Sequence, residues 1–221
     1  MTRVAVHVVS LRALERVRGR AEPDLPAAER AAIERRASGR RRVQAQAARV
    51  LAGVAGVESG NASHDQDFLV VAESPATCGV DVEDAAEDEL REVATRFCAA
   101  SEVAGPVSAR ALWTAKESAA KATRLGLRAG LRSIGFTADP STGWSTVDWP
   151  YGAGFLTRTV DLGTRHCALT VRADAPPRVR ARVWTPTVSD GRWSFTPAAP
   201  AGDSPAHRLA EGLRAFGGTR G

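Results

Sequence analysis

The run Ser108-Ala-Arg-Ala-Leu-Trp113-Thr-Ala-Lys116-Glu117-Ser-Ala-Ala-Lys121 holds both lysines of a 221-residue chain whose 30 basic residues are otherwise arginine. Ser108 reads as an N-cap, so the run predicts a helix over Ala109–Leu125, with Gly126 and Gly130 closing it. At about 100° per residue, Trp113, Lys116, Glu117 and Lys121 fall within an arc of about 140°, one face of that helix. Glu117 precedes Lys121 by four residues, so a surface ion pair accounts for the two charges. It does not account for Trp113 on the same face, nor for the confinement of lysine to this helix. Lysine differs from arginine in offering a compact ammonium whose pKa is readily tuned. The candidate site therefore starts here.

Working outward, Thr2–Val9 is β-branched and apolar and reads as a buried strand. Pro26 opens a helix over Ala27–Ala37, Ser38-Gly39 breaks it, and Arg40–Val54 continues as a second helix with Val43, Ala47, Val50 and Leu51 on its apolar face. Phe68–Ala72 and Gly79–Val82 are short apolar runs around Pro75, expected to pair as an antiparallel hairpin. Acidic residues from Asp84 start a further helix that ends between Phe97 and Val103. Strand-like runs follow at Ser133–Ala138, Gly154–Val160 and Cys167–Val171. The order predicts an α+β fold of two similar α/β halves in a pseudo-twofold arrangement, residues 1–105 and 106–172. Residues 173–221 read as an Arg/Pro/Ala-rich extension, in part mobile. Within it Arg180–Thr185 and Arg192–Thr196 suit a hairpin around Ser189-Asp190-Gly191, and Ala206–Phe216 suits a short amphipathic helix. No chemistry is assigned to this extension.

With 43% hydrophobic and 25% charged residues, the chain reads as soluble, globular and large enough to bury a core. Its N-terminus lacks a signal-peptide pattern and no stretch is apolar enough to span a bilayer, so a cytoplasmic location is expected. Cys78, Cys98 and Cys167 are odd in number and not in zinc-ligand spacing, which fits free thiols of a reducing compartment. His7, His166 and His207 belong to no motif and read as structural or exposed. The net charge of +5 suits an anionic partner but selects none.

Asp81 and Glu83, in Cys78-Gly-Val-Asp-Val-Glu83, are one residue apart, and the strand period of two puts both carboxylates on one face. Hard oxygen donors side by side suit Mg²⁺. The bland alternative is a solvated strand end ahead of an acidic helix.

Taken together, Gly79-Val-Asp81-Val-Glu83, Phe97-Cys-Ala-Ala-Ser-Glu102 and Trp113-x-x-Lys116-Glu117-x-x-x-Lys121 resemble the signature of 4′-phosphopantetheinyl transferases, in family order and spacing. The length resembles the monomeric, surfactin-synthetase-type branch. Asn61-Ala-Ser63-His64 resembles that branch's N-[IV]-S-H motif, and Arg40-Arg41-Arg42 resembles its basic helix that grips coenzyme A. The resemblance covers about residues 1–172. It implies transfer of the phosphopantetheine arm of coenzyme A to a serine of an acyl, polyketide or peptidyl carrier protein, with release of adenosine 3′,5′-bisphosphate. It implies Mg²⁺, with Mn²⁺ as an alternative, on Asp81, Glu83 and Glu117. Lys121 is implied at the leaving phosphate, Lys116 at a phosphate, and Glu117 or Glu102 as the base for the carrier serine. Ser63, His64 and Arg42, then Arg36 and Arg41, are implied on coenzyme A. The partner implied is an acidic carrier protein, with the enzyme a monomer; the alanine- and arginine-rich composition associates such enzymes with secondary metabolism. Two departures stand out. Asp65 follows His64 where the family commonly has serine, which is expected to weaken phosphate binding by repulsion, and Cys98 replaces the usual Ser or Thr.

Two rival readings remain. A nucleic-acid-binding protein suits the sequence pI of about 9.8. It lacks any recognition signature or interleaved aromatics, and it leaves the carboxylates unexplained. A non-catalytic carrier-binding relative is opposed by intact Asp81, Glu83, Glu117 and Lys121. The expectation is therefore no nucleic acid and no membrane partner.

Overall fold

A computed structural model describes residues 1–57, 60–150, 152–199 and 204–217. Among these residues two sheets and seven α-helices make a mixed α+β fold. The first sheet has six strands: β1 (Arg3–Ser10), β2 (Glu22–Pro23), β3 (Gly60–His64), β4 (Phe68–Glu73), β10 (Arg178–Ser189) and β11 (Arg192–Pro197), in the order β2-β11-β10-β1-β4-β3. The second has five: β5 (Cys78–Glu83), β6 (Gly135–Asp139), β7 (Trp144–Asp148), β8 (Phe155–Asp161) and β9 (His166–Arg172), in the order β5-β9-β8-β7-β6.

Strand periodicity builds the centre. Val4, Val6 and Val8 of β1, Phe68, Val70 and Ala72 of β4, Cys78, Val80 and Val82 of β5, and Cys167, Leu169 and Val171 of β9 share one buried cluster. These are alternate residues, so each strand gives one face to this common core and keeps the other for helices. Each buried Val or Leu there contributes about 1.5–3 kcal/mol relative to exposure. On the outer face of the first sheet, Val9, Leu69, Val71 and Trp184 meet Leu14 of α1 (Leu11–Arg18) and Val43, Ala47, Val50 and Leu51 of α3 (Gly39–Ala55). On the outer face of the second lies α6 (Ala109–Ala122), whose Ser118 Oγ meets Thr170 Oγ1 of β9 at 2.7 Å.

Three expectations need correction. Phe68–Ala72 and Gly79–Val82 do not form a hairpin. Both edges of β4 are already taken, by β1 and by β3, so after Pro75 the chain crosses to the other sheet and β5 pairs with β9. The segment after Arg172 is not an appendage. β10 lies parallel to β1 from Arg3↔Arg178 to Val9↔Trp184, and so stands in the middle of the first sheet. The expected hairpin at 189–191 is present, with Ser189 opposite Arg192, and α7 (Pro205–Arg214) buries Leu209, Ala210 and Leu213 in the central core. Nor do the sheets divide at residue 105, since β5 belongs to the second and β10 and β11 to the first.

Among the described residues no helix is long and apolar enough to cross a membrane. The three cysteines are free and buried.

Candidate active site

Gly79 explains how α6 comes to lie against β5. A Cβ at this position would stand 2.1 Å from the carbonyl oxygen of Ser118 and 2.4 Å from the amide nitrogen of Ala122. Only glycine lets the helix backbone approach this closely, and two residues further along the same strand face stands Asp81. At the other end, α6 is doubly capped. Ser108 Oγ accepts from Ala111 N at 3.1 Å, and Glu87 of α4 (Glu87–Phe97) accepts from Ala109 N at 2.6 Å and Arg110 N at 3.2 Å. A carboxylate on orphan amides at the positive end of a helix is a strong anchor.

This framework brings Lys121, from the last turn of α6, onto Asp81. Its Nζ donates to Asp81 Oδ1 at 2.6 Å and to Ser63 Oγ, at the end of β3, at 3.0 Å. Ser63 Oγ itself donates to Asp81 Oδ1 at 2.8 Å and accepts from Val82 N at 3.3 Å. Two donors, one from the first sheet and one from a helix, thus meet at one carboxylate oxygen of the second sheet. The other, Asp81 Oδ2, is buried and has no hydrogen-bond partner among the described residues. Glu83 is pushed up to about 7, by burial first and then by Asp81, while Trp113 Nε1 donates to its Oε1 at 3.4 Å. Glu117 is raised for the same two reasons, burial and then the charge of Asp81.

Mutually repelling, partly dehydrated carboxylates beside an orphaned oxygen form a donor set that a hard divalent cation relieves. The set fits Mg²⁺ in chemistry. The side chains are not drawn together, however: among the described residues no three His, Cys, Asp or Glu groups are gathered closely enough to hold an ion. The ammonium of Lys121 meets part of the charge at Asp81.

His64 follows Ser63 on β3. Partial burial, then the charges of Lys121 and Arg40, hold its imidazole below the usual histidine range. Arg40 reaches this region by donating to the carbonyl of Gln66 in the β3–β4 turn. The other arginines of the run point elsewhere. Arg42 lines a hollow with Glu15, Glu22 and Trp193, Arg36 a groove with Glu29, Ile33 and Arg49, and neither hollow is bordered by Asp81 or Lys121. Arg41 is exposed on α3. Arg40 belongs to the basic run but was not among the arginines singled out for coenzyme A, although helix periodicity marks it. It stands seven residues before the buried Ala47, on the face that packs against the sheet.

Lys116 is not at the site. It is 0% exposed, and its Nζ donates to Glu102 Oε2 at 2.7 Å, Leu131 O at 2.9 Å and Ile134 O at 2.7 Å. Glu102 Oε2 also accepts from Ala99 N at 2.8 Å, capping α5 (Ala100–Val103). Both groups are occupied in tying α5 and the loop before β6 to α6.

The expected repulsion from Asp65 is also cancelled. Its side chain is buried and takes Arg165 Nε on Oδ2 at 2.6 Å. Of the unassigned histidines, His7 is buried, accepting from Trp184 Nε1 at 2.9 Å on Nδ1 and facing Glu73 through Nε2 at 3.3 Å.

Residues 77–171 match the family model of the 4′-phosphopantetheinyl transferase superfamily. That segment runs from just before β5 to near the end of β9 and includes α4, α5 and α6. It therefore contains Asp81, Glu83, Glu102, Glu117 and Lys121, whereas Ser63, His64 and Arg40 lie before it. No curated protein matches the chain. A superfamily domain of this kind points to phosphopantetheinyl transfer in general, and its members work with coenzyme A, a divalent metal and carrier proteins.

Proposed function

We propose that the chain is a Mg²⁺-dependent 4′-phosphopantetheinyl transferase of the surfactin-synthetase type, moving the phosphopantetheine arm of coenzyme A to the serine of an acidic carrier protein. The observation that carries this reading is the meeting of Lys121, Ser63 and the half-unsatisfied Asp81 at the junction of the two sheets, inside a superfamily-matching segment. The finer reading of two similar halves in pseudo-twofold relation is supported by the plan of each sheet. Each gives one face to the common core and covers the other with a long helix, α3 or α6.

Asp81, Glu83 and Glu117 would hold the ion, whose chemistry is to neutralise the pyrophosphate and polarise the attacked phosphorus. The chain's own groups do the rest. Arg40 and His64 receive the nucleotide-side phosphates, and Ser63 orients both Asp81 and Lys121. The serine hydroxyl forms one P–O bond while the bond to adenosine 3′,5′-bisphosphate breaks. Glu117 takes the hydroxyl proton, a role favoured over Glu102 because the Oε2 of Glu102 is engaged by Lys116 and by Ala99 N. Lys121 meets the charge developing on the leaving phosphate. A monomeric cytoplasmic enzyme serving secondary metabolism completes the reading, with Mn²⁺ as an alternative ion.

Intact-protein mass spectrometry of apo carrier proteins incubated with the protein, coenzyme A and Mg²⁺ tests it. The expected result is a gain of one phosphopantetheine arm, lost with EDTA. No gain on any carrier, together with no coenzyme A binding, would remove the proposal.

A further inference from the structure

We propose that Arg165 is a positioning residue: through an Asp65–Arg165–Asp67 ion-pair staple, the second sheet holds the β3–β4 turn and thereby sets Ser63 and His64 for the phosphates of coenzyme A. The inference rests on the functional reading above.

The β3–β4 turn consists of only Asp65, Gln66 and Asp67, directly after His64. Asp65 organises it from within. Its Oδ1 accepts from Asp67 N and Phe68 N, both at 2.7 Å, and its own amide donates to Phe68 O at 3.1 Å. That leaves Oδ2, on a side chain that is 0% exposed. An ionised carboxylate so placed needs a partner, or desolvation expels its charge. The partner comes from 100 residues away. Arg165, between β8 and β9, places Nε 2.6 Å from Asp65 Oδ2 and a terminal nitrogen 2.5 Å from Asp67 Oδ2, with its guanidinium carbon 4.7 Å from the Phe68 ring centroid. Arg12 adds a contact to Asp67 Oδ1 at 2.7 Å.

Two consequences follow for the neighbouring site. The pair of carboxylates beside His64, which would repel an incoming phosphate, is neutralised. The turn is also fixed at several points on both sheets, so His64 and the carbonyl that Arg40 grips keep one geometry. The planar fork reaches two separate carboxylates from two nitrogens held a fixed distance apart, a spacing that the single nitrogen of lysine does not reproduce. The departure from the family pattern at Asp65 and the otherwise unremarked Arg165 thus explain one another.

Coenzyme A affinity, measured by isothermal titration with Mg²⁺ present, separates positioning from plain stability. Arg165→Met is expected to bind coenzyme A about tenfold more weakly in its folded fraction, because Asp65 loses its cation next to the phosphates and Asp67 keeps Arg12 alone. Arg165→Lys should lose about threefold. Adding Asp65→Asn, which keeps the Oδ1 acceptor of the turn, should recover part of the Arg165→Met loss, a coupling that a double-mutant cycle reads directly. In the transfer reaction the KM for coenzyme A should rise while the KM for the carrier stays put. A folded Arg165→Met protein that binds coenzyme A within twofold of the unmodified chain would overturn the staple. If Arg165→Met does not fold, unchanged affinity in Arg165→Lys overturns it equally. An unmodified protein that takes up no coenzyme A would instead bring down the functional reading itself.

Discussion

Replacing Gly79 by alanine tests the link between packing and chemistry with the smallest change available. Gly79 is not among the residues of positive φ, so alanine suits its backbone and on conformational grounds alone would gain about 0.5–1 kcal/mol. The opposing effect is steric. The new Cβ would stand 2.1 Å from Ser118 O and 2.4 Å from Ala122 N, both backbone atoms of α6 that no rotamer change can move. Reaching ordinary contact near 3.4 Å requires the helix to retreat by about 1.3 Å. Overpacking of a dense core costs about 1–3 kcal/mol, and an unyielding backbone contact belongs at the upper end, so a net loss of about 2 kcal/mol is expected. The same retreat carries Lys121 away from Asp81 Oδ1, now at 2.6 Å, and a misplacement of about 1 Å can cost on the order of 100-fold in rate. Urea denaturation gives the first quantity from the midpoint at constant m, and the rate of carrier modification under saturating coenzyme A gives the second. A Gly79→Ala protein within about 0.5 kcal/mol of the unmodified chain and fully active would refute the argument.

Other perturbations probe the same frame. Lys116→Met leaves Glu102 partly buried without its cation and takes a donor from the carbonyls of Leu131, which keeps Ile134 N, and Ile134, so a loss of about 3–5 kcal/mol is expected by denaturant titration; a loss below 1 kcal/mol would contradict it. Glu87→Ala strips the cap from Ala109 N and Arg110 N and should cost about 0.5–2 kcal/mol, with amide exchange rising first in the opening turn of α6. For Glu83, pushed up to about 7, the folded chain keeps a proton that the unfolded chain sheds near 4.5. The folded state therefore binds more protons between those values, and its ion-free stability falls as pH rises through that window. Millimolar Mg²⁺ should raise the Tm clearly at pH 8 and little at pH 5.5. An equal or reversed effect would remove Glu83 from the donor set.

What the sequence disclosed divides by the range of the interactions involved. The D-x-E pair, the lysine-bearing helix and its Ser108 cap depend on strand and helix periods, which act over a few residues. β5 accordingly formed where expected, and α6 began where expected but ends at Ala122, short of Leu125. The failures all involve partners distant in the chain. Phe68–Ala72 and Gly79–Val82 look like a hairpin locally, and nothing near them reveals that β1 and β3 have already taken both edges of β4. Residues 178–189 look like part of an arginine-rich tail because Arg178, Arg180 and Arg182 face solvent. The intervening Val179, Ala181 and Val183 pack on the central core; a strand of a hairpin was legible there, but its parallel pairing with β1, some 175 residues away, was not.

Charge was the hardest property to place. Lys116 and Lys121 share a helix face and are five residues apart, yet one points into the protein and the other into the site. The difference is decided by Glu102 and the carbonyls of Leu131 and Ile134 in one case, and by Ser63 and Asp81 in the other. Confinement of lysine to this helix was thus a sound pointer to unusual chemistry, but to two kinds of it. Lys116 uses its three donors to close a buried junction, and Lys121 uses a single compact charge to bridge both sheets. The same logic applies to Asp65, repulsive toward phosphate in sequence and neutral in effect once Arg165 is beside it. A charged residue acquires its role from the partner the fold supplies, so site assignment here required the contacts and not the motif alone.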